Sequence, residues 1–99
     1  MKYEIAPKST EIQANWDDAR LYCFSLNIEG KTGWRLPTKE ELNEIYESTN
    51  DLEEYGWYWS STEFNTSSAW LQDFNYADQD YYNKLGNYYV RAIRDLKDN

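Results

Sequence analysis

The sequence predicts an α+β fold in which two helices pack on a small antiparallel sheet. Apolar residues recur at helical spacing before Asp51, whereas they alternate with a period of two after Gly56. Helices followed by a run of strands are typical of this fold class. A chain of 99 residues has room for one hydrophobic core, so we expect a single domain over residues 1–99.

The core is expected to consist largely of aromatic rings. The chain carries five Trp, ten Tyr and three Phe, and most of these follow position 50, while aliphatic residues are few. Rings bury large apolar areas, but so many phenol hydroxyls cannot all find partners in one small core. Some of the tyrosines must therefore face water.

The first half is predicted to contain a strand at Tyr3–Ile5 and then a first helix. Asn15 is placed to cap this helix, because its side-chain oxygen can accept a hydrogen bond from an amide of the first turn. We expect the helix to end near Asn27. Its buried face follows a spacing of three, four and three, and consists of Trp16, Ala19, Cys23 and Leu26.

The second helix is predicted to begin at a capping box formed by Thr38 and Glu41. In this motif each of the two side chains accepts a hydrogen bond from the backbone amide of the other residue. We expect the helix to fade within residues 48–51. Its buried stripe is predicted to be Leu42, Ile45 and Tyr46, and its solvated residues Lys39, Glu40, Glu44 and Glu47.

The segment before this helix is predicted to be architectural. Trp34 and Leu36 are expected in the core, and Pro37 favours an extended conformation at Leu36. Arg35 is expected to form a structural ion pair or to bind loop carbonyls, since a guanidinium group binds such acceptors in a fixed geometry.

Strand candidates follow in the second half of the chain. They are residues 57–62, 69–74 and 88–94, a weaker candidate at 80–85, and a turn at 85–87. Trp59 and Trp70 are expected to lie in the core.

The net charge of −8 disfavours direct binding to DNA or RNA, because an acidic surface repels phosphate groups. Basic protein surfaces would be attracted instead, although the charge also has a simpler use in keeping a small domain in solution. No stretch is apolar enough for a membrane span or a secretory signal. We therefore expect a cytoplasmic protein, either of a bacterium or, if a phage encodes it, of the host.

The inventory of side chains predicts that the protein is not an enzyme. The chain has no His, which removes the commonest general base and the commonest metal ligand. Cys23 is the sole cysteine, and its place on the apolar face of the first helix predicts a buried, inert thiol. The serines and threonine of residues 60–62 fit polar strand positions better than a nucleophile. We predict no catalytic residue and no cofactor.

Four segments form a set of motifs: WDDARLYC (16–23), GWRLPTKEEL (33–42), YWSSTE (58–63) and YVRAIR (89–94). Together they resemble the Lcl C-terminal domain family, whose function is unassigned. Members share a W-x-x-A-x-x-x-C helix start, a W-R-L-P-T-x-x-E-L core, a W-S-S-T strand and a closing V-R-x-[VI]-R strand. All four motifs occur here in the same order.

The resemblance implies a fold related to C-type lectins and to the formylglycine-generating enzyme. In such folds the N- and C-terminal strands pair, and a loop-rich lobe presents the ligand surface. Here it implies pairing of Tyr3–Ile5 with Val90–Ile93 and a loop-rich lobe at residues 63–87. The oxidase chemistry of that enzyme uses two cysteines, so a chain with one cysteine cannot reproduce it.

Calcium binding is an alternative that the acidic residues of this lobe leave open. Asp73, Asp78 and Asp80 are close in sequence and offer the oxygen ligands that Ca²⁺ prefers. They match neither the EF-hand spacing nor the tripeptides with which C-type lectins bind sugars, so we predict no metal site.

Residues 64–89 are the predicted binding surface. This segment mixes Tyr, Asn, Ser and Asp, which is the composition of antibody contact surfaces. The alternative is that its tyrosines simply pack over the sheet. The predicted exposed anchors are Tyr76, Tyr81, Tyr82 and Tyr88, with Asp78 and Asp80 as a charged rim.

The sequence thus predicts a non-enzymatic binding module that contacts another macromolecule, in the first place a protein with a basic surface. One alternative is a small acidic phage-type inhibitor that occupies the basic nucleic-acid-binding surface of a host defence protein. A second alternative is lectin-like carbohydrate binding, which rests on fold analogy and on ring platforms alone.

Overall fold

The computed structural model describes residues 2–48, 52 and 56–96, and it confirms the α+β class. The elements in chain order are β1 (Tyr3–Ile5), β2 (Ile12–Ala14), α1 (Trp16–Ser25), β3 (Trp34–Arg35), α2 (Lys39–Ser48), β4 (Trp57–Glu63), β5 (Ser68–Asp73), β6 (Gln79–Asn83), β7 (Tyr88–Val90) and β8 (Ile93–Asp95). The strands form two sheets, a three-stranded one in the order β1-β8-β3 and a five-stranded one in the order β2-β7-β4-β5-β6.

The two ends of the described chain pair with each other, as the family resemblance implied. β1 runs antiparallel to β8, with Tyr3 opposite Asp95 and Ile5 opposite Ile93. The partner strand therefore begins at Ile93, and Val90 belongs to a different strand. This pairing closes the three-stranded sheet together with β3.

The prediction of one strand over residues 88–94 is wrong. β7 pairs with β2 and β4 in the larger sheet, whereas β8 belongs to the smaller sheet. Arg91 lies between these strands, and its Nη2 donates to Glu11 Oε1 at 3.0 Å. The side chain is buried, so it must find its partners inside the molecule, and the chain changes sheet at this point. The strand β2 (Ile12–Ala14) was not predicted.

Helix α1 begins as predicted, with Asn15 as its cap. The Asp18 amide donates to Asn15 Oδ1 at 2.9 Å. The helix ends at Ser25, two residues before the predicted end, because Leu26 adopts an extended conformation. Trp16, Ala19 and Cys23 are buried on its inner face as predicted.

Helix α2 begins at the predicted capping box. The Thr38 amide donates to Glu41 Oε1 at 2.8 Å, and the Glu41 amide donates to Thr38 Oγ1 at 3.1 Å. Leu42 and Ile45 are buried as predicted. Lys39 is half-buried instead of solvated, because its ammonium group lies over an aromatic ring. The predicted fading of the helix beyond Ser48 concerns residues 49–51, which lie outside the described residues.

The five-stranded sheet is covered on both faces, and this explains its aromatic core. One buried cluster includes Trp59 and Leu71 of the sheet together with Trp16 and Cys23 of α1. The other places Tyr58 with Leu42 and Ile45 of α2 and also includes Phe74. Because a helix lies on each face, three successive residues of β4 are fully buried instead of every second one; they are Tyr58, Trp59 and Ser60.

The segment expected to form a loop-rich lobe, residues 63–87, contains two strands. β5 and β6 form an antiparallel hairpin within it, and loops are confined to its turns. The C-type-lectin relationship is compatible with two helices and two sheets, but the surface in question is built largely of sheet. Neither described helix is long and apolar enough to cross a membrane.

A buried ion-pair network provides a test of this architecture. Glu11 Oε1 accepts hydrogen bonds from Arg91 Nη2 at 3.0 Å and from the Tyr58 hydroxyl at 2.7 Å. We expect Arg91→Met to lower the free energy of unfolding by about 3–5 kcal/mol, because it leaves a carboxylate without its cation. Urea denaturation measures this change.

The matched control is the double variant Arg91→Met with Glu11→Leu, which removes both charges. We expect it to recover a large part of the lost free energy of unfolding, since no buried charge is then left without a partner. A double variant no more stable than Arg91→Met would contradict this account.

Candidate functional site

Strand β6 lies at the edge of the five-stranded sheet, and β5 is its one hydrogen-bonded neighbour in the described part of the chain. Tyr81 stands opposite Trp70 and Tyr82 opposite Ala69. Because successive side chains of a strand point to opposite faces, Tyr81 faces the α2 side and Tyr82 the α1 side. The two predicted anchors therefore belong to different faces that meet at one edge.

An exposed ring cluster forms on the α2 side. Phe64 and Tyr81 stack in parallel, with ring centroids 3.7 Å apart and an angle of 4° between the ring planes. Trp70 meets Tyr81 edge-on at 5.4 Å, and Lys39 Nζ lies 3.9 Å from the Trp70 ring centroid. Phe64 and Tyr81 remain 46% and 42% exposed, so this stacked pair presents a rigid apolar surface to solvent.

For these rings the structure contradicts one prediction and adds one residue that was not predicted. Trp70 is half-buried at the floor of the cluster and does not lie in the core, whereas Trp59 is fully buried as predicted. Phe64 was not on the list of predicted anchors. Its contact with Tyr81 depends on a register shift in β4 between Trp59 and Glu63, and no local sequence signal reveals such a shift.

A second set of rings lies on the α1 side. Tyr82 meets Trp57 edge-on at 5.7 Å and lies 5.7 Å from Tyr88. Tyr88 in turn meets the buried Trp59 edge-on at 5.1 Å. The prediction of an exposed Tyr88 is therefore wrong: it is half-buried and forms the border between the core and the surface. Tyr82 keeps the exposure predicted for it.

The remaining predicted residues lie along the hairpin. Tyr76, in the turn between β5 and β6, is 74% exposed. Asp78 closes this turn, where its carbonyl accepts from the Asp73 amide at 2.8 Å. Asp80 is exposed on β6, and its Oδ1 accepts from the Tyr81 amide at 2.8 Å. Asp78 and Asp80 form no ion pair with any described residue, so both charges are available to a partner.

The neighbouring carboxylate differs, because Glu63 has an internal partner. Lys84 Nζ lies 2.8 Å from Glu63 Oε2, and this ammonium group holds the pKa of the Glu63 carboxyl below its usual value. The charge of Glu63 is thus balanced within the chain. The acidic character of the β6 edge rests on Asp78 and Asp80.

The three carboxylates considered for calcium do not converge. Asp73 is buried and accepts from the Asn75 amide at 2.9 Å, while Asp80 is exposed and engages the Tyr81 amide. Within residues 2–48, 52 and 56–96, no three acidic or thiol side chains stand together in a way that could hold a metal ion.

The groups considered for catalysis have structural roles. Burial raises the pKa of the Cys23 thiol to about 12. The Ser60 hydroxyl is buried, donates to the Trp70 carbonyl at 2.7 Å and accepts from the Thr62 amide at 3.1 Å. A protonated, enclosed thiol and a hydroxyl with both partners in place are stabilising features of the fold.

A groove beside α1 is a second candidate surface. Its volume is about 510 Å³, and Trp34 and Leu36 form its floor. Leu21 and Phe24 stand on its rim, with Phe24 82% exposed. This side of the helix was not predicted to be a surface of interest, although two large apolar residues outside the buried spacing are a signal that the sequence carries.

Arg35 is an internal link, as predicted. Its guanidinium group binds Glu41 through two hydrogen bonds of 2.8 and 2.9 Å, and it binds Asp95 through two more of 2.7 and 3.1 Å. The hydrogen bonds from Arg35, together with its positive charge, lower the pKa of both carboxyls below their usual values. Arg35 thereby connects the start of α2 to β8, and its donors are not free for a ligand.

These features define a two-sheet α+β domain whose exposed sheet edge is lined by rings and carboxylates. The model of the Lcl C-terminal domain family matches residues 3–94, and the chain belongs to this family. Among curated proteins, none is similar enough to be matched as a relative. The family membership confirms the resemblance drawn from the four sequence motifs.

The Arg35 links predict a stability that depends on pH. Since the pKa values of Glu41 and Asp95 are lowered in the folded state, the links stabilise the protein above the ordinary carboxyl pKa of about 4. We expect Arg35→Met to cost about 1–2 kcal/mol at pH 7, allowing for screening at this partly exposed site. Urea denaturation at several pH values measures the difference.

This cost should shrink as the pH falls through the lowered pKa values, because the carboxyls become protonated in the native protein. Lys31→Met is the control for an exposed ion pair, because Lys31 Nζ lies 3.4 Å from Glu4 Oε2 at the surface, and it should cost less at pH 7. A cost of Arg35→Met that stayed constant down to pH 2 would show that the charges are not the cause.

The buried thiol gives a separate test. We expect Cys23 in the native protein to react with a thiol reagent at pH 8 roughly a hundredfold more slowly than in the urea-unfolded chain, because burial keeps it protonated and out of reach. The rate is followed by the absorbance of the coloured thiolate that the reagent releases when it reacts with Cys23. Equal rates in the two states would place the thiol at the surface.

Proposed function

We propose that the protein is a non-enzymatic binding module that docks to another protein through the edge of the five-stranded sheet. The contact surface, called here the β6 surface, is Phe64, Tyr76, Asp78, Asp80, Tyr81 and Tyr82. The observation that carries the proposal is the exposed, parallel stack of Phe64 on Tyr81.

The stacked pair supports a macromolecular partner. Exposed aromatic anchors dominate the energy of protein interfaces, and rings that are already packed lose little conformational entropy on binding. Trp70 holds Tyr81 from below, so the pair is fixed before a partner arrives. The surface is an edge and not an enclosed cavity, which suits a protein better than a small molecule.

The charges of this surface support a basic partner. Asp78 and Asp80 have no cation among the described residues, and the chain as a whole carries −8. Aromatic faces also attract cations, as the position of Lys39 over Trp70 illustrates within the chain itself. A partner with Arg or Lys at its contact would gain from both effects, and its association rate would fall with salt.

The inhibitor remains a second candidate because of α2. Glu40, Glu44 and Glu47 are exposed and follow each other at helical spacing, which forms a row of negative charge. Such a row suits a basic surface that otherwise holds nucleic acid. It is distant in sequence from β6, so substitutions can separate the two proposals. Both proposals have the protein act in the cytoplasm.

The test is a quantitative capture experiment with matched variants. The native chain, immobilised, is exposed to lysate of its source cell, and captured proteins are identified and then purified for affinity measurement. We expect Phe64→Ala with Tyr81→Ala to weaken binding at least about tenfold, since removing central aromatic anchors costs about 2 kcal/mol or more.

Phe24→Ser is the matched control, because it removes an exposed ring from the groove beside α1. We expect this variant to bind as the native chain does. Loss of binding in Phe24→Ser, with the double variant unaffected, would move the interface to the groove. If binding is lost only in a variant with Gln at positions 40, 44 and 47, the inhibitor hypothesis is favoured instead. If the chain binds glycans and no protein, the lectin hypothesis is favoured.

A further inference from the structure

The hydrogen-bond ladder between β5 and β6 shows which backbone groups of β6 face outwards. The Asp73 amide donates to the Asp78 carbonyl and the Lys84 amide to the Ser67 carbonyl, both at 2.8 Å. In an antiparallel pair, every second residue exchanges such bonds with its neighbour. Residues 78, 80, 82 and 84 therefore face β5, and the backbone groups of Gln79, Tyr81 and Asn83 face away from the sheet.

Among the described strands, β6 is the longest at a sheet edge. It has five residues, whereas β2 at the other edge of its sheet has three, and the edge strands β1 and β3 have three and two. No described strand lies beyond β6. Exposed edges of this length invite pairing with a further strand, and natural proteins commonly blunt them with charges.

Asp80 blunts the edge in a selective way. Its carboxylate accepts the hydrogen bond of the outward Tyr81 amide, at 2.8 Å. A carbonyl of an added strand must replace this carboxylate as the acceptor of the Tyr81 amide. The Asp80 carboxylate then loses its hydrogen bond, and it has no cation among the described residues. A strand with Lys or Arg beside Asp80 would compensate for that release, whereas a neutral or acidic strand would not.

We propose that the partner binds as a sixth strand of this sheet, through an extended, Lys- or Arg-bearing segment that pairs with the outer edge of β6. This inference rests on the proposed function of the β6 surface. The backbone supplies hydrogen bonds at Gln79 and Tyr81 and through the Asn83 amide, because the Asn83 carbonyl already accepts from the Gly86 amide at 3.0 Å. Side chains of the added strand contact the Phe64–Tyr81 stack on one face and Tyr82 on the other.

The experiment selects peptides that bind the full chain from a random twelve-residue display library. Peptides that also bind the Phe64→Ala, Tyr81→Ala double variant are removed by counter-selection. We expect selected peptides to be rich in β-branched residues and to carry Lys or Arg. Each synthetic peptide is compared with two copies, one N-methylated at its odd-numbered residues and the other at its even-numbered residues. The methyl groups keep the side chains and remove backbone donors. We expect one of the two methylated copies to bind at least tenfold more weakly.

Amide hydrogen exchange locates the pairing within β6. Bound peptide should slow exchange at Gln79, Tyr81 and Asn83 at least tenfold, while Asp80 and Tyr82 change little because β5 already binds their amides. Asp80→Asn should weaken the binding of a Lys-bearing peptide several-fold. It should not change the binding of the same peptide with Gln in place of Lys, and this comparison separates charge pairing from shape.

The outcomes distinguish the inference from the proposed function. Strand addition would be overturned by peptides that bind equally well in both methylated forms and leave the Gln79 and Tyr81 amides unprotected. If those peptides still need Phe64 and Tyr81, the binding surface stays in place. A selection that yields no peptide, or only peptides that bind the double variant equally well, would count against both.

Discussion

The buried pair of Arg91 and Glu11 is the interaction on which the two-sheet arrangement depends. Arg91 lies where the chain passes from β7 in the larger sheet to β8 in the smaller one. Its guanidinium group donates to Glu11 and to the Ala6 carbonyl, and both lie where the chain passes from β1 to β2. One planar cation therefore joins both crossings between the sheets, and Tyr58 adds a hydroxyl donor to the same carboxylate.

The positions of the helices explain why rings are core residues in one place and surface residues in another. α1 and α2 cover opposite faces of the five-stranded sheet, so central β4 is enclosed and Trp59 is fully buried. Towards β6 this cover ends: Trp70 is half-buried, and Tyr81, opposite it on the last strand, is 42% exposed. The exposed rings continue the aromatic core beyond the reach of the helices.

Features decided by near neighbours could be predicted from the residues themselves. Of those decided by distant strands, the pairing of β1 with β8 was predicted through the family resemblance, and the others were not predicted. The Asn15 cap and the capping box of Thr38 and Glu41 involve residues three positions apart, and both were confirmed. The division of residues 88–94 between two sheets depends on Glu11, about eighty residues away. The Phe64–Tyr81 stack likewise requires the β4 register shift and the β5–β6 hairpin together.

Residues 63–87, which were expected to form a loop-rich lobe, contain two strands, and this changes what the proposed partner must do. Loops would have to become ordered on binding, whereas Tyr81 and Tyr82 are held in place by the hairpin and by the rings beneath them, so the entropic cost is low. The same strand geometry sends these two side chains to opposite faces. A flat partner pressed against one face reaches one of them. An extended segment that aligns with the edge of β6 would reach both, together with the Asp80 carboxylate that accepts from the outward Tyr81 amide, and this favours an extended segment over a flat one.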